Sequence, residues 1–332
     1  MAEYLTNTAD LTAVADAIRA KGGTAAQLVY PSGFVSAIQA IQTGVTPQLI
    51  VTTSAGATVT ATKGSKTVSG TAGADGTCTL ELSEAGEWSV TSSLNGNSRT
   101  QTVLIGTQTA DIRLFDSVFA NNSWETIIAF CQSNQVPDTW AVGDSKTMTI
   151  DGTDYQIDII GKNHDTYADG SGTAPLTFQM HDCYATKYPM IGSSSTTKIP
   201  WKDTTMRMST LPALLLTMPS EVQSGIREVS KITGIRDSSG NVTLDTTSDK
   251  LFLLSPTEMG ITTDNVDGGD SEGTVYTYYV GMEGSSMMRD KVYWLRSRAK
   301  YETNHFQVVQ NAYPPSKQKA TELMGVRFAF CF

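Results

Sequence analysis

Three groups of side chains hold what chemistry this chain offers. His164-Asp165 and His181-Asp182 each set an imidazole beside a carboxylate. A metal hydrolase built on such pairs needs further His and Asp ligands projecting from helices. Only His305 remains, and the local pattern is strand, so loop histidines held by hydrogen bonds are the better reading. Asp264, Asp267 and Asp270 stand among Gly268 and Gly269 and offer oxygen ligands to a hard cation. Their spacing lacks the alternation and closing Glu of an EF-hand loop, so a solvated acidic loop is favoured. No cofactor is expected, with calcium in that loop as the alternative. The third group lies between Tyr293-Trp294-Leu295-Arg296-Ser297 and Gly325-Val326-Arg327-Phe328-Ala329-Phe330-Cys331-Phe332. There Arg298, Lys300, Tyr301, Asn304, His305, Gln307, Gln310, Asn311 and Tyr313 combine aromatic, cationic and amide side chains. Such a mixture, held between two apolar blocks, has the composition of a paratope.

Catalysis is not expected. No phosphate-cradling Gly-x-x-x-x-Gly-Lys-Ser/Thr run occurs, and that loop supplies the backbone N–H groups a nucleotide needs. No Ser-His-Asp constellation is expected either. With 33 acidic residues, the two carboxylates a glycosidase requires are always available somewhere, so their presence decides nothing.

The elements that must hold the third group read as three domains. Residues 1–44 are a short helical segment: Leu11, Val14, Ala15 and Ile18 recur at helical spacing before Gly22-Gly23, and Phe34, Val35, Ile38 and Ile41 follow Pro31. So small a pair must dock its apolar faces on something else, which predicts a homo-oligomer, a trimer favoured, or attachment to a larger assembly. Residues 45–115 turn to period two, with seven candidate strands separated by turns such as Glu84-Ala85-Gly86 and Asn95-Gly96. Short strands at that spacing predict an all-β Ig-like sandwich acting as a spacer, with Leu80, Leu82, Trp88 and Val90 facing its core. Residues 116–332 mix short helices with antiparallel strands, an α+β pattern. Ser123 is placed to cap a helix over Trp124–Cys131, and a second helical stretch over Met206–Leu216 must kink or restart at Pro212. Glu221–Val229 reads as a short helix and Lys250–Ser255 as a buried strand. The two apolar blocks near the C-terminus are expected to pair and close the domain. Trp294 and Phe330 belong to its core, and Arg296 and Arg327 tie strands together through buried hydrogen bonds.

Bulk properties narrow the partners. The net charge of −9 over 332 residues argues against nucleic acid and against an anionic membrane surface, because both need clustered Lys and Arg. No apolar run approaches a membrane span, and the first residues have neither a basic nor an apolar region of a secretory signal. Cys78, Cys131, Cys183 and Cys331 form no close pair. They read as reduced, buried thiols, with a Cys183–Cys331 bridge as the alternative.

The order of several blocks is similar to a bacterial and phage domain of unassigned function related to the C-type-lectin-like fold of phage receptor-binding proteins. They are Ile159 to Asp165, Leu176 to Met180, Trp201 to Leu211, Asp249 to Ser255, Tyr293 to Ser297, and Gly325-Val326-Arg327. Tyr4 to Leu11, Ala17 to Gly23 and Tyr30 to Phe34 resemble the N-terminal segment of prophage tail proteins from Gram-positive hosts. In retroelement-diversified members of the lectin-like group, the variable residues lie between a Trp-containing strand and a closing Gly-Val-Arg strand. That interval here is Arg298 to Met324. Phe328 departs from the small residue usual in relatives, and the calcium triplets of animal sugar-binding lectins are absent. The resemblance implies a tail-tip adhesin in the virion tail, made in the host cytoplasm. Its lectin-like domain would bind a host-surface protein or glycan through Arg298, Lys300, Tyr301, Asn304, His305, Gln307, Asn311 and Tyr313. Its N-terminal segment would join other tail proteins. The alternatives are a structural tail or baseplate component and, third, a cell-wall hydrolase.

Overall fold

Alternating apolar and polar residues build the first seven strands, because successive side chains of a strand point to opposite faces. The computed structural model describes residues 8–22, 46–53, 55–94, 97–106, 109–115, 118–134, 136–193, 197–261, 265–310 and 316–332. It is mostly β-sheet with a few short helices, and it divides into two units, Met1–Leu114 and Phe115–Phe332.

In the first unit, helix α1 spans Thr8–Gly22 and buries Ala15 and Ile18, while Val14 is exposed. The helix expected after Pro31 lies outside the described residues. Strands β1 (Gln48–Thr52), β2 (Thr58–Lys63), β3 (Lys66–Thr71), β4 (Thr77–Glu81), β5 (Gly86–Leu94), β6 (Asn97–Ile105) and β7 (Ala110–Arg113) form two sheets. Their orders are β4-β1-β7 and β3-β2-β5-β6. Leu49, Val51, Val59, Leu80, Leu82, Trp88 and Val90 meet in one core. The Trp88 indole N–H donates to the Glu84 carbonyl, 3.1 Å away, so the buried ring leaves no donor unmet. Leu94 pairs with Asn97, which leaves a two-residue connection, the length that favours Asn-Gly.

The second unit is organised by strands β8 (Ser145–Ile150), β9 (Thr153–Lys162), β10 (Leu176–Met180), β13 (Leu251–Phe252) and β17 (Ala329–Cys331). They form a five-stranded sheet in the order β13-β17-β10-β9-β8. Phe330 joins one apolar cluster while Ala329 and Cys331 join another, so the sheet is covered on both faces. That explains why β10 is buried at every position. Helix α2 (Trp124–Gln132) packs Trp124, Ile127 and Ile128 into the first cluster. Ser123 Oγ accepts from the Thr126 N–H at 3.2 Å and caps it as expected. The helical stretch after Met206 is a π-helical turn, Met206–Thr210, followed by α3 (Leu211–Leu215), with Pro212 in the first turn of α3. Pro lacks the N–H that an uninterrupted helix would use there. A short helix α4 covers Ser220–Gly225.

Two features depart from the sequence reading. A long hairpin of β11 (Val229–Arg236) and β12 (Val242–Asp249) occupies a region with no expected strands. The two C-terminal apolar blocks also do not pair as strands. The first is β14 (Tyr293–Arg298), in a separate sheet with β15 (His305–Val309) and β16 (Ser316–Lys319), whereas β17 lies inside the five-stranded sheet. A single bridge between Tyr293 and Gly325 links the blocks. All four cysteines are free and buried, so Cys183 and Cys331 are not bridged. Among the described residues no helix is long and apolar enough to cross a membrane.

Candidate binding surface around Lys300 and Tyr301

Buried charge fixes the root of the displayed segment. Arg296, in β14, is fully buried. Its guanidinium donates to the carbonyls of Leu253 (2.9 Å), Glu272 (2.9 Å) and Ile232 (3.2 Å) and pairs with Glu258. Lys231, in β11, donates to Glu258 (3.0 Å), to Tyr276 (2.8 Å) and to Asp165. Burial alone raises the Asp165 carboxyl, but the Lys231 ammonium and the hydrogen bonds around it outweigh that and hold it well below the usual carboxylate range. Glu258 is likewise raised by burial and lowered further by Arg296 and Lys231, with a net shift downward. Through Glu258 these pairs tie β11 to β14. Arg327 plays the matching part on β10, donating to the Met180 carbonyl at 2.6 Å.

The segment that leaves β14 is clamped from below. Arg298 was expected on display, yet it is 2% exposed. Its guanidinium reaches the carbonyls of Ile199 (2.6 Å), Glu302 (3.1 Å) and Thr303 (2.6 Å), with Asp267 at 3.6 Å. Burial pushes the Arg298 guanidinium down to about 10, against the opposing pull of Asp267, so it stays charged at neutral pH. The five-donor fork of Arg suits three carbonyls at once. Gln307 is also buried, at 1%, and its Nε2 donates to the Asn265 carbonyl at 2.7 Å. Both residues hold the surface from beneath.

What they hold is a turn at Lys300–Asn304. Tyr301 is 77% exposed and has φ of +64°, a left-handed conformation that costs a residue with a Cβ about 1–2 kcal/mol. Its ring lies 5.1 Å from the Lys300 ammonium and 5.9 Å from the Arg236 guanidinium. Lys300, Asn304 and His305 are half-buried around it. His305 Nδ1 is 3.5 Å from Glu302, whose other oxygen pairs with Lys317. Asn311 and Tyr313 lie outside the described residues.

Lys300 also separates two open clefts. One, of about 420 Å³, is lined by Arg236, Leu244, Gly268, Asp270 and Lys300 among others. The other, of about 290 Å³, is lined by Asn265, Lys300, Gln307, Ser316 and Lys317. The β11–β12 hairpin adds exposed Ile232, Val242 and Leu244 beside the first. Sequence reading missed this contribution. The only available signal was the Asp237-Ser238-Ser239-Gly240-Asn241 turn, where Asn241 N–H bonds the Asp237 side chain at 2.8 Å.

The other candidate groups are occupied. His181 Nδ1 bonds Asp158 (2.7 Å), not its neighbour Asp182, and His164 stacks on Tyr276 with its Nε2 3.1 Å from Thr274. Asp267, the middle carboxylate of the acidic loop, is bound by Lys198 at 3.1 Å and faces Arg298, so it is not free to ligate a cation. Asp264 lies outside the described residues, and among those described no three metal-ligating side chains cluster. Gly269-Asp270-Ser271-Glu272-Gly273 matches the letters of a nucleophile elbow. It forms a 3-10 turn and not the strand-to-helix corner that motif requires. Its Glu272 is buried, accepting from the Gly234 N–H at 2.7 Å and from Ser297.

Comparison with known proteins adds a family without an assigned activity. Residues 182–332 match a domain of unknown function (DUF6273). No curated protein matches the chain. A solved structure described as "Ca2+-stabilized adhesin helps an Antarctic bacterium reach out and bind ice" is 14% identical over 60% of this chain, with a TM-score of 0.14. The chain spans about 40% of that protein's length, and a likeness at that level decides neither fold nor function.

Proposed function

We propose that this chain is a phage tail-tip adhesin that grips a host-surface receptor through its C-terminal unit. In this reading residues 45–115 are an Ig-like spacer, the C-terminal unit is lectin-like, and the N-terminal segment attaches and oligomerises the protein. The observation that carries it is Tyr301: an exposed aromatic ring on a strained backbone, flanked by two cations and held by a buried Arg298 clamp. Strain of this kind persists where the surroundings over-determine it, and it concentrates at ligand-contacting sites. Tyr and Arg are also among the residues enriched at binding hot spots. Multivalency through the N-terminal segment would raise avidity without tighter single sites.

The test is sedimentation of the intact, labelled chain with a panel of Gram-positive cells. Retention on particular strains, reduced at least tenfold by the double exchange Lys300→Ala with Tyr301→Ala while the thermal transition is kept, supports the reading. Retention unchanged by that exchange refutes the assigned surface. No retention on any strain favours a structural tail component.

A further inference from the structure

The smaller cleft beside Lys300 presents two unmet demands side by side. Gln307 is 1% exposed, yet no described group donates to its Oε1. Its orientation is settled, because Nε2 must be the atom that donates to the Asn265 carbonyl. Gln307 stands directly opposite Lys317 in the β15–β16 pairing, so the two share a face. Lys317 already pairs with Glu302, whereas among the described residues no carboxylate pairs with Lys300. The cleft thus offers one cation without a carboxylate partner and one buried acceptor, with Ser316 on its wall.

We infer that this cleft takes a polyhydroxy anion, an acidic sugar residue or a polyol phosphate, with its anionic group on Lys300 and a hydroxyl donating to Gln307 Oε1. The inference rests on the reading of this face as the binding surface. It assigns a ligand chemistry that the net charge of −9 does not foretell. A neutral sugar satisfies only the acceptor, and a bare anion satisfies only the ammonium. Because site groups left unpaired by an incomplete ligand weaken its binding, only the combined ligand meets both demands. One charge and one donor also fit a volume of about 290 Å³, at the small end for a ligand pocket.

The experiment titrates the intact chain, by saturation-transfer NMR, with glucuronate and separately with glycerol 1-phosphate. Glucose, acetate and inorganic phosphate are the partial ligands. The expected result is saturable binding of glucuronate, glycerol phosphate or both, at least tenfold tighter than each partial ligand. The arm that binds identifies the source of the anion. Lys300→Gln should weaken binding at least tenfold, and Lys300→Arg should restore most of it, a rescue that a folding defect would not give. Equal affinity for glucose, or binding indifferent to Lys300→Gln, overturns the inference. Cell retention without binding of either anion also overturns it, and leaves the adhesin reading intact. Anion binding without retention on any cell supports it and removes the adhesin reading.

Discussion

Replacing Tyr301 separates the cost of the displayed turn from its use. The residue sits at φ of +64° and is 77% exposed. Asn tolerates that backbone far better than Tyr or Ala does, so Tyr301→Asn recovers about 1 kcal/mol of strain. Against this stand the lost contacts. Less than a quarter of the residue is buried, worth about 0.5 kcal/mol on the usual scale for a large apolar side chain. The exposed cation–π contact with Lys300 adds about 0.5 kcal/mol. The two sides cancel, so Tyr301→Asn should leave stability within about 0.5 kcal/mol of wild type. Tyr301→Ala loses the same contacts without relieving the backbone and should fall about 1 kcal/mol lower. For a unit of this size that separates the two variants by roughly 2–4 °C in Tm. Differential scanning calorimetry of the intact chain reads both values. A loss above about 1.5 kcal/mol in Tyr301→Asn would show that the ring is a packing residue, and the argument from strain to function would fail.

Other consequences concern the frame. Lys231→Met leaves the Asp165 and Glu258 carboxylates buried without their ammonium and should cost about 3–5 kcal/mol, read by chemical denaturation. Arg298→Met strips three carbonyls of their donor and removes the charge facing Asp267, which keeps Lys198. It should cost about 3 kcal/mol and loosen the turn, which faster proteolysis between Ala299 and Asn304 would reveal. Asp165 and Glu258 are both held below their ordinary range in the folded state. Their stabilising contribution is therefore complete above the unfolded values near pH 4 and is lost as pH falls through the folded ones. Glu272 is shifted upward by burial and opposes this, while the two lowered carboxylates set the direction, so midpoints measured across acid titration should decline below about pH 4.

The strands of the first unit were legible because their period-two pattern and turn residues speak locally. Thr77–Glu81 and Gly86–Leu94 carry Leu80, Trp88 and Val90 into the core, where they were expected. The site was half legible. Lys300, Tyr301, Asn304 and His305 surface together, but Arg298 and Gln307 are inside. Polarity hid that, since a buried Arg satisfied by distant carbonyls looks in sequence like any exposed one. His305-Phe306-Gln307-Val308-Val309 alternates as a strand does and was masked by its polar members. The β11–β12 hairpin, with Lys231 and Thr233 buried, was missed for the same reason: its inward face is polar, and Lys231 finds its partners Asp165, Glu258 and Tyr276 far along the chain. Pairing between blocks is a long-range choice. Local apolar character placed β14 and β17 as strands without showing that different sheets receive them.

The central claim is that the Lys300–Asn304 turn is what another molecule grips. The most direct measurement is nitration of Tyr301 in the intact chain, free and bound to envelopes of a strain that retains it. Tyr301, 77% exposed, should be readily modified when the chain is free and strongly protected when it is bound. Full reactivity of Tyr301 on a chain firmly attached to the envelope would contradict it.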